Sequence, residues 1–243
     1  MACAGRQGDN LVEQFPLNEQ GDPNFHVGGV DRELPPEEQL EQLLSYVQAT
    51  YEPSENYLAL LPDRLTHASM LMLGSAVDHA MPGVAFTKDV AVSQCEWGPI
   101  FGAPSSHWCV SSFDGPEAGR EHMWRPEVAG AANLSGVSIL DLDSPENPEN
   151  MARAIEYARA QGAEHVTAWV FGSAPLAPAD SYILTFPTEL PKLSAPHLIQ
   201  VATKDEVAPR FEGELYHSTH YVSTPAEARQ RVQDAAEFLK TLS

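Results

Sequence analysis

Three tripeptides in this chain share one pattern, a histidine followed two positions later by a hydroxyl: His67-Ala68-Ser69, His165-Val166-Thr167 and His217-Ser218-Thr219. Side chains alternate faces along a strand, so on strands the two ends of each motif would point the same way. Two such strands side by side would bring two imidazoles and two hydroxyls to one spot. That set suits phosphodiester cleavage. One neutral imidazole takes the proton of an attacking water or hydroxyl, and the other, protonated, donates to the leaving oxygen. The hydroxyls hold the oxygens on which negative charge builds. His67 and His165 are the acid–base candidates, and Ser69 and Thr167 the candidate phosphate ligands. The scheme needs no cofactor.

The motifs "THASML" and "EHVTAW" resemble those of the two-histidine (2H) phosphoesterase superfamily, which carries His, any residue, then Ser or Thr on two strands with an apolar residue after. The resemblance covers roughly residues 57–190. It implies a small phosphodiester as substrate. Glu164 stands where that family carries a proline before the second histidine.

A second constellation lies in the C-terminal half. "HVTAWVFGSAP" reads as a strand ending at a nucleophile, Ser173. "APHLIQVATKDEVAP" resembles the acid-bearing strand of an α/β-hydrolase, with Asp205, and "LYHSTH" would supply His217 ahead of a final helix. The order Ser, Asp, His is that fold's order. The elbow departs from its pattern, since "FGSAP" has no glycine two after the serine. A third reading needs no catalyst: an acidic binding protein, exported or toxin-neutralising, that holds a protein partner.

Composition bears on all three. The 243 residues carry 34 Asp and Glu against 14 Lys and Arg, a formal net charge of −20. Lys88, Lys192, Lys204 and Lys240 are the lysines. Such a surface repels phosphate backbones, which argues against a nucleic-acid polymer as partner. No stretch approaches the ~18 apolar residues of a membrane span.

The cysteines bear on compartment. Cys95 and Cys109 flank "EWGPIFGAPSSHW", whose prolines and glycines would let the flanks fold back as a hairpin, within reach of a disulfide. Cys3, in "MACAG", resembles the lipid-attachment cysteine of a bacterial lipoprotein whose signal peptide has been replaced by Met. Together they imply an exported, lipid-anchored protein; three free thiols would fit the cytoplasm instead.

The elements that must position these groups follow from patterning. Residues 1–36 are polar and turn-rich and read as a tether or extended segment. Residues 37–243 read as a single domain. Helices are expected over "PPEEQLEQLLSYVQATY", over the run after Asn147 and Pro148 up to Gly162, and over the tail after Thr224 and Pro225. Strands are expected at "NYLALLP", "LTHASMLMLG", "VAFTKDVAVSQCEW", "HWCVSSF", "VSILDLD", "HVTAWVFG", "SYILTFP" and "HLIQVAT", with "DGPEAGREHMWRPEVAGAANLSG" mostly loop. The fold class is α+β: one mixed sheet with hairpins, a strand–helix–strand unit and a C-terminal helix.

Overall fold

The computed structural model describes residues 34–74 and 78–242. Cys3 and nearly all of the proposed tether lie outside the described residues. None of the described helices is long and apolar enough to cross a membrane.

The sheet has eight strands in the order β1-β2-β4-β3-β5-β6-β7-β8. In chain order they are β1 (Val92–Cys95), β2 (Gly98–Phe101), β3 (His107–Phe113), β4 (Ser138–Asp141), β5 (His165–Phe171), β6 (Ser181–Thr185), β7 (His197–Ala202) and β8 (Glu214–Tyr216). β1 and β2, and β2 and β4, pair antiparallel; every other pairing is parallel. The sheet is single and mixed, as expected, but its parallel centre makes the architecture α/β rather than α+β. The hairpin is real, but only at one edge.

Parallel strands buried on both faces read as near-continuous apolar runs, and the two at the centre, β3 and β5, are buried nearly throughout. Alternate residues split between two cores. Cys109, Phe113, Trp169, Phe171 and Ile183 face α1 (Pro36–Thr50), α2 (Tyr57–Met72), α5 (Arg125–Ser135) and α7 (Pro225–Thr241). Trp108, Val110, Val166, Ala168 and Leu184 face α6 (Pro148–Ala160).

The three expected helices form, and two of them start on a side-chain cap. The Asn147 side chain accepts from the Glu149 amide at 3.0 Å, and that of Thr224 from Glu227 at 3.2 Å. Ala228, Val232, Ala235 and Leu239 line the buried side of α7.

Three expectations fail in whole or in part. The expected strand "VAFTKDVAVSQCEW" starts within a single helical turn, α3 (Pro82–Ala85), and is strand only over Val92–Cys95. "NYLALLP" and "LTHASMLMLG" are one helix, α2, with Pro62 inside it. Leu61, Leu65 and Ala68 are its buried stripe, at helical spacing. The supposed loop after β3 is helical: α4 (Glu117–Gly119), a π-helical turn over Arg120–Trp124, then α5. Trp124 in that turn is buried edge-on against Trp169, ring centres 5.0 Å apart.

The connections carry a further feature. α5 links β3 to β4, and α6 links β4 to β5. Residues 172–180, between β5 and β6, contain no helix, nor do residues 186–196, between β6 and β7.

Candidate functional site

β3 and β5 run side by side in register, and their last residues, Phe113 and Phe171, are partners. The residues just beyond therefore meet. Gly172 turns the chain with φ +63, a left-handed conformation that favours glycine. A β-carbon at Gly172 would run into the carboxylate of Asp114. Asp114 Oδ2 also accepts from the Ser173 amide at 2.7 Å and from the Ser173 hydroxyl at 2.9 Å.

This turn opens on a polar crevice of about 820 Å³ at the carboxyl ends of β3, β4 and β5, where ligands bind in open α/β sheets. Asp114, Glu117, Asp143, Glu146, Ser173 and Arg120 line it. Beneath the rim, Asp141 ends β4 as a buried carboxylate. It accepts from Trp124 Nε1 at 3.1 Å, from Arg125 Nε at 2.9 Å, and from the Ser111 hydroxyl.

The ends of β7 and β8 hold a second arrangement. His220 Nδ1 lies 2.9 Å from Asp205 Oδ2 and 3.1 Å from Oδ1. The amides of Val207 and Ala208 donate to the same carboxylate, each at 2.8 Å, which fixes its place in the loop. A carboxylate offers only acceptors, so Nδ1 carries the proton and a neutral ring keeps its lone pair on Nε2.

That Nε2 is buried with no hydrogen-bond partner. The ring is wedged among Phe171, Phe186 and Tyr221, with centroids 5.1, 6.1 and 4.6 Å away. It lines a chamber of about 20 Å³, room for one water-sized molecule. Glu127 and Arg231 line it too, paired at 2.6 Å. Glu127 Oε2 and Arg231 Nη1 are likewise left without partners. Burial pushes the Glu127 carboxyl up, against the pull of Arg231.

An apolar cavity of about 630 Å³ adjoins the chamber, between α2, α5 and the β1–β2 edge. Pro62, Met81, Met123 and Glu127 line both and form the partition.

Among solved structures, the chain is similar to an esterase/lipase from an uncultured bacterium (TM-score 0.54, 12% identity, 84% of this chain and 98% of that one). It is similar to an arylesterase (0.52, 10%, 86% and 99%). It is also similar to a hormone-sensitive lipase from a metagenome library (0.51, 10%, 86% and 99%). The fold is that of the α/β-hydrolases. No protein-family pattern and no curated sequence matches the chain.

The α/β-hydrolase fold overturns the two-histidine phosphoesterase resemblance, and the placements show why. His67 and Ser69 are on helix α2, not a strand, and two residues apart on a helix face different ways. His67 Nδ1 meets the Tyr51 hydroxyl at 3.2 Å, while Ser69 is buried.

His165 and Thr167 do share a face of β5, but their partners are different ones. Thr167 Oγ1 lies 2.8 Å from His107 Nε2 and 2.7 Å from Ser181 Oγ, and His165 Nε2 lies 2.9 Å from Ser181 Oγ. These groups form a hydrogen-bonded chain at the amino ends of β3, β5 and β6, the end away from the crevice. Burial, with His165 alongside, pushes the His107 imidazole down to about 4.

Cys95 and Cys109 are free thiols, not a disulfide. Cys95 ends the edge strand β1, and Cys109 is central in β3, with β2 and β4 between them. At ~4.8 Å per strand the two stand well beyond disulfide reach. Burial pushes the Cys109 thiol up.

Of the hydrolase-like candidates, Asp205 pairs with His220 rather than with His217. His217 stands three residues earlier, its amide held by Glu227 and its ring 3.9 Å from Glu37. Ser173 lies one residue beyond the turn glycine. The sequence reading missed Gly172, Asp114 and His220. The signals were present: the "FDG" and "FGS" strand ends, and the second histidine of "HSTH".

Proposed function

We propose that this chain is a binding protein built on an α/β-hydrolase scaffold, and that it does not cleave esters through an acyl-serine. One observation carries the reading: the turn after β5 presents Gly172, and the Asp114 carboxylate fills the space its side chain would take. In active members of this fold the nucleophile sits on that strained strand-to-helix turn, and the next residue's amide helps to hold the oxyanion. Here the turn residue has no side chain, and no helix stands between β5 and β6. The next amide, that of Ser173, is taken by a carboxylate. A negative charge where an oxyanion must form raises the barrier it should lower. An acid–histidine pair is present, but the buried His220 Nε2 faces a chamber of only about 20 Å³.

The contact between Ser173 and Asp114 favours one rival: Ser173 as a displaced nucleophile with Asp114 as its base. A fluorophosphonate probe and short-chain nitrophenyl esters separate the two. No adduct and no turnover are expected from the wild-type chain. An adduct mapped to Ser173, lost in Asp114→Asn, would overturn the binding reading.

A further inference from the structure

We propose that the crevice at the ends of β3, β4 and β5 binds a small zwitterion of the α-amino-acid type, its carboxylate on Arg120 and its ammonium among the surrounding acids. The proposal rests on the reading of this crevice as a binding site.

Arg120 is the first observation. It sits in the π-helical turn after β3 and lines the crevice. It is only 6% exposed, and its Nε has no hydrogen-bond partner. Burying a guanidinium is costly unless its donors are met. The Asp141 carboxylate attracts it, but Ser111, Trp124 and Arg125 already occupy that carboxylate's oxygens. A guanidinium presents a planar fork of donors, the complement of a carboxylate.

The rim is the second observation, independent of the first. Asp114, Glu117, Asp143 and Glu146 stand exposed around the buried arginine. Ser173 engages Asp114, and Arg125 pairs with Asp143. Glu117 and Glu146 complete the lining at the rim.

The charge pattern selects the ligand. A simple anion would have to pass four carboxylates on a chain of net charge −20 to reach Arg120. A simple cation would satisfy the rim and leave the guanidinium unmet. A molecule with both charges on neighbouring atoms answers both demands. About 820 Å³ accommodates an amino acid or the free end of a short peptide.

Three molecules of one carbon skeleton test this: L-norleucine, pentylamine, which lacks its carboxylate, and hexanoate, which lacks its amine. Calorimetry on the full chain should show L-norleucine, or a member of a mixture of the common L-α-amino acids, binding at least ~10-fold more tightly than either single-charge analogue, the scale of a charge-assisted hydrogen bond. Arg120→Gln should reduce the zwitterion to the level of the amine. Because Arg120 is buried, Glu146→Gln at the exposed rim serves as a second variant. It should weaken the zwitterion and the amine but not hexanoate. Equal binding of amine and zwitterion, or no binding by any amino acid, would overturn the proposal. Phosphonate labelling of Ser173 with zwitterion binding intact would instead overturn the non-catalytic reading and leave the ligand class standing.

Discussion

The carboxylate of Asp114 occupies the space that a side chain on Gly172 would need, and it holds both the amide and the hydroxyl of Ser173. The two positions are locked together, because the left-handed turn at Gly172 leaves that space open and Asp114 fills it. Gly172→Ser should therefore destabilise the fold twice over. The left-handed backbone costs a non-glycine residue about 1–3 kcal/mol, and the new side chain collides with the carboxylate. Asp114→Gly in the same chain should remove the collision and return part of the loss. Thermal melts of the wild type and the single and double variants check this. Additive losses would show that the two residues do not share the space.

What was legible in the sequence was local. Asn147 with Pro148, and Thr224 with Pro225, mark helix starts because the cap chemistry is contained within a few residues. Asp205 stood out because an apolar strand and a turn lead up to it, and it does meet a histidine. The fold class was legible only in part: the single sheet, its hairpin and the closing helix were, and the parallel order of its centre was not. "NYLALLP" and "LTHASMLMLG" are short apolar runs split by Pro62, and such runs fit strand or helix until burial of Leu61, Leu65 and Ala68 on one stripe decides. The partners of His165 were also hidden. His107 and Ser181 reach it only through the registers of β3 with β5 and β5 with β6, which are long-range facts. The choice between His217 and His220 turned on which one the loop after β8 aims at Asp205, and spacing alone does not say.

The His107 imidazole gives a pH dependence whose sign is fixed. Burial and the neighbouring His165 push it down to about 4, from 6.5 in the unfolded chain, while Asp180 and the Leu239 backbone pull the other way. The folded state thus prefers the neutral ring. The resulting stability is fully present above pH 6.5 and is lost as pH falls toward 4, up to roughly 3 kcal/mol at ~1.4 kcal/mol per pH unit. His107→Asn keeps a polar group near Thr167 and removes the titration. Denaturant midpoints for this variant should change less between pH 7 and pH 4 than those of the wild type. Parallel slopes would place the acid sensitivity elsewhere.

The cap on the last helix supports a narrower expectation. Thr224 accepts from the Glu227 amide, and α7 buries Ala228, Val232, Ala235 and Leu239 against the sheet. Thr224→Ala should cost about 1 kcal/mol, and about 2–4 °C in melting temperature for a chain of this size. Thr224→Ser should restore most of it. Equal losses from Ala and Ser would point to the buried methyl group rather than the cap.

The pair Glu127–Arg231 should be the costliest single contact to break from one side. Both residues are buried, 2.6 Å apart, one on α5 and the other on α7, helices that pack against each other. Removing the cation leaves a buried carboxylate in a chamber where no other group carries a positive charge and a neutral His220 offers a lone pair at Nε2. Arg231→Met should therefore cost about 3–5 kcal/mol, the usual penalty for orphaning a buried charge. Glu127→Gln added to it removes the charge and should recover a large part, because an amide costs less to bury than a carboxylate and its N–H can donate to His220. Chemical denaturation of the two single variants and the double variant measures the coupling directly. A double variant no more stable than Arg231→Met would mean that the loss comes from the guanidinium's place over the Phe186 ring, its central carbon 5.3 Å from the ring centroid, and not from the stranded charge.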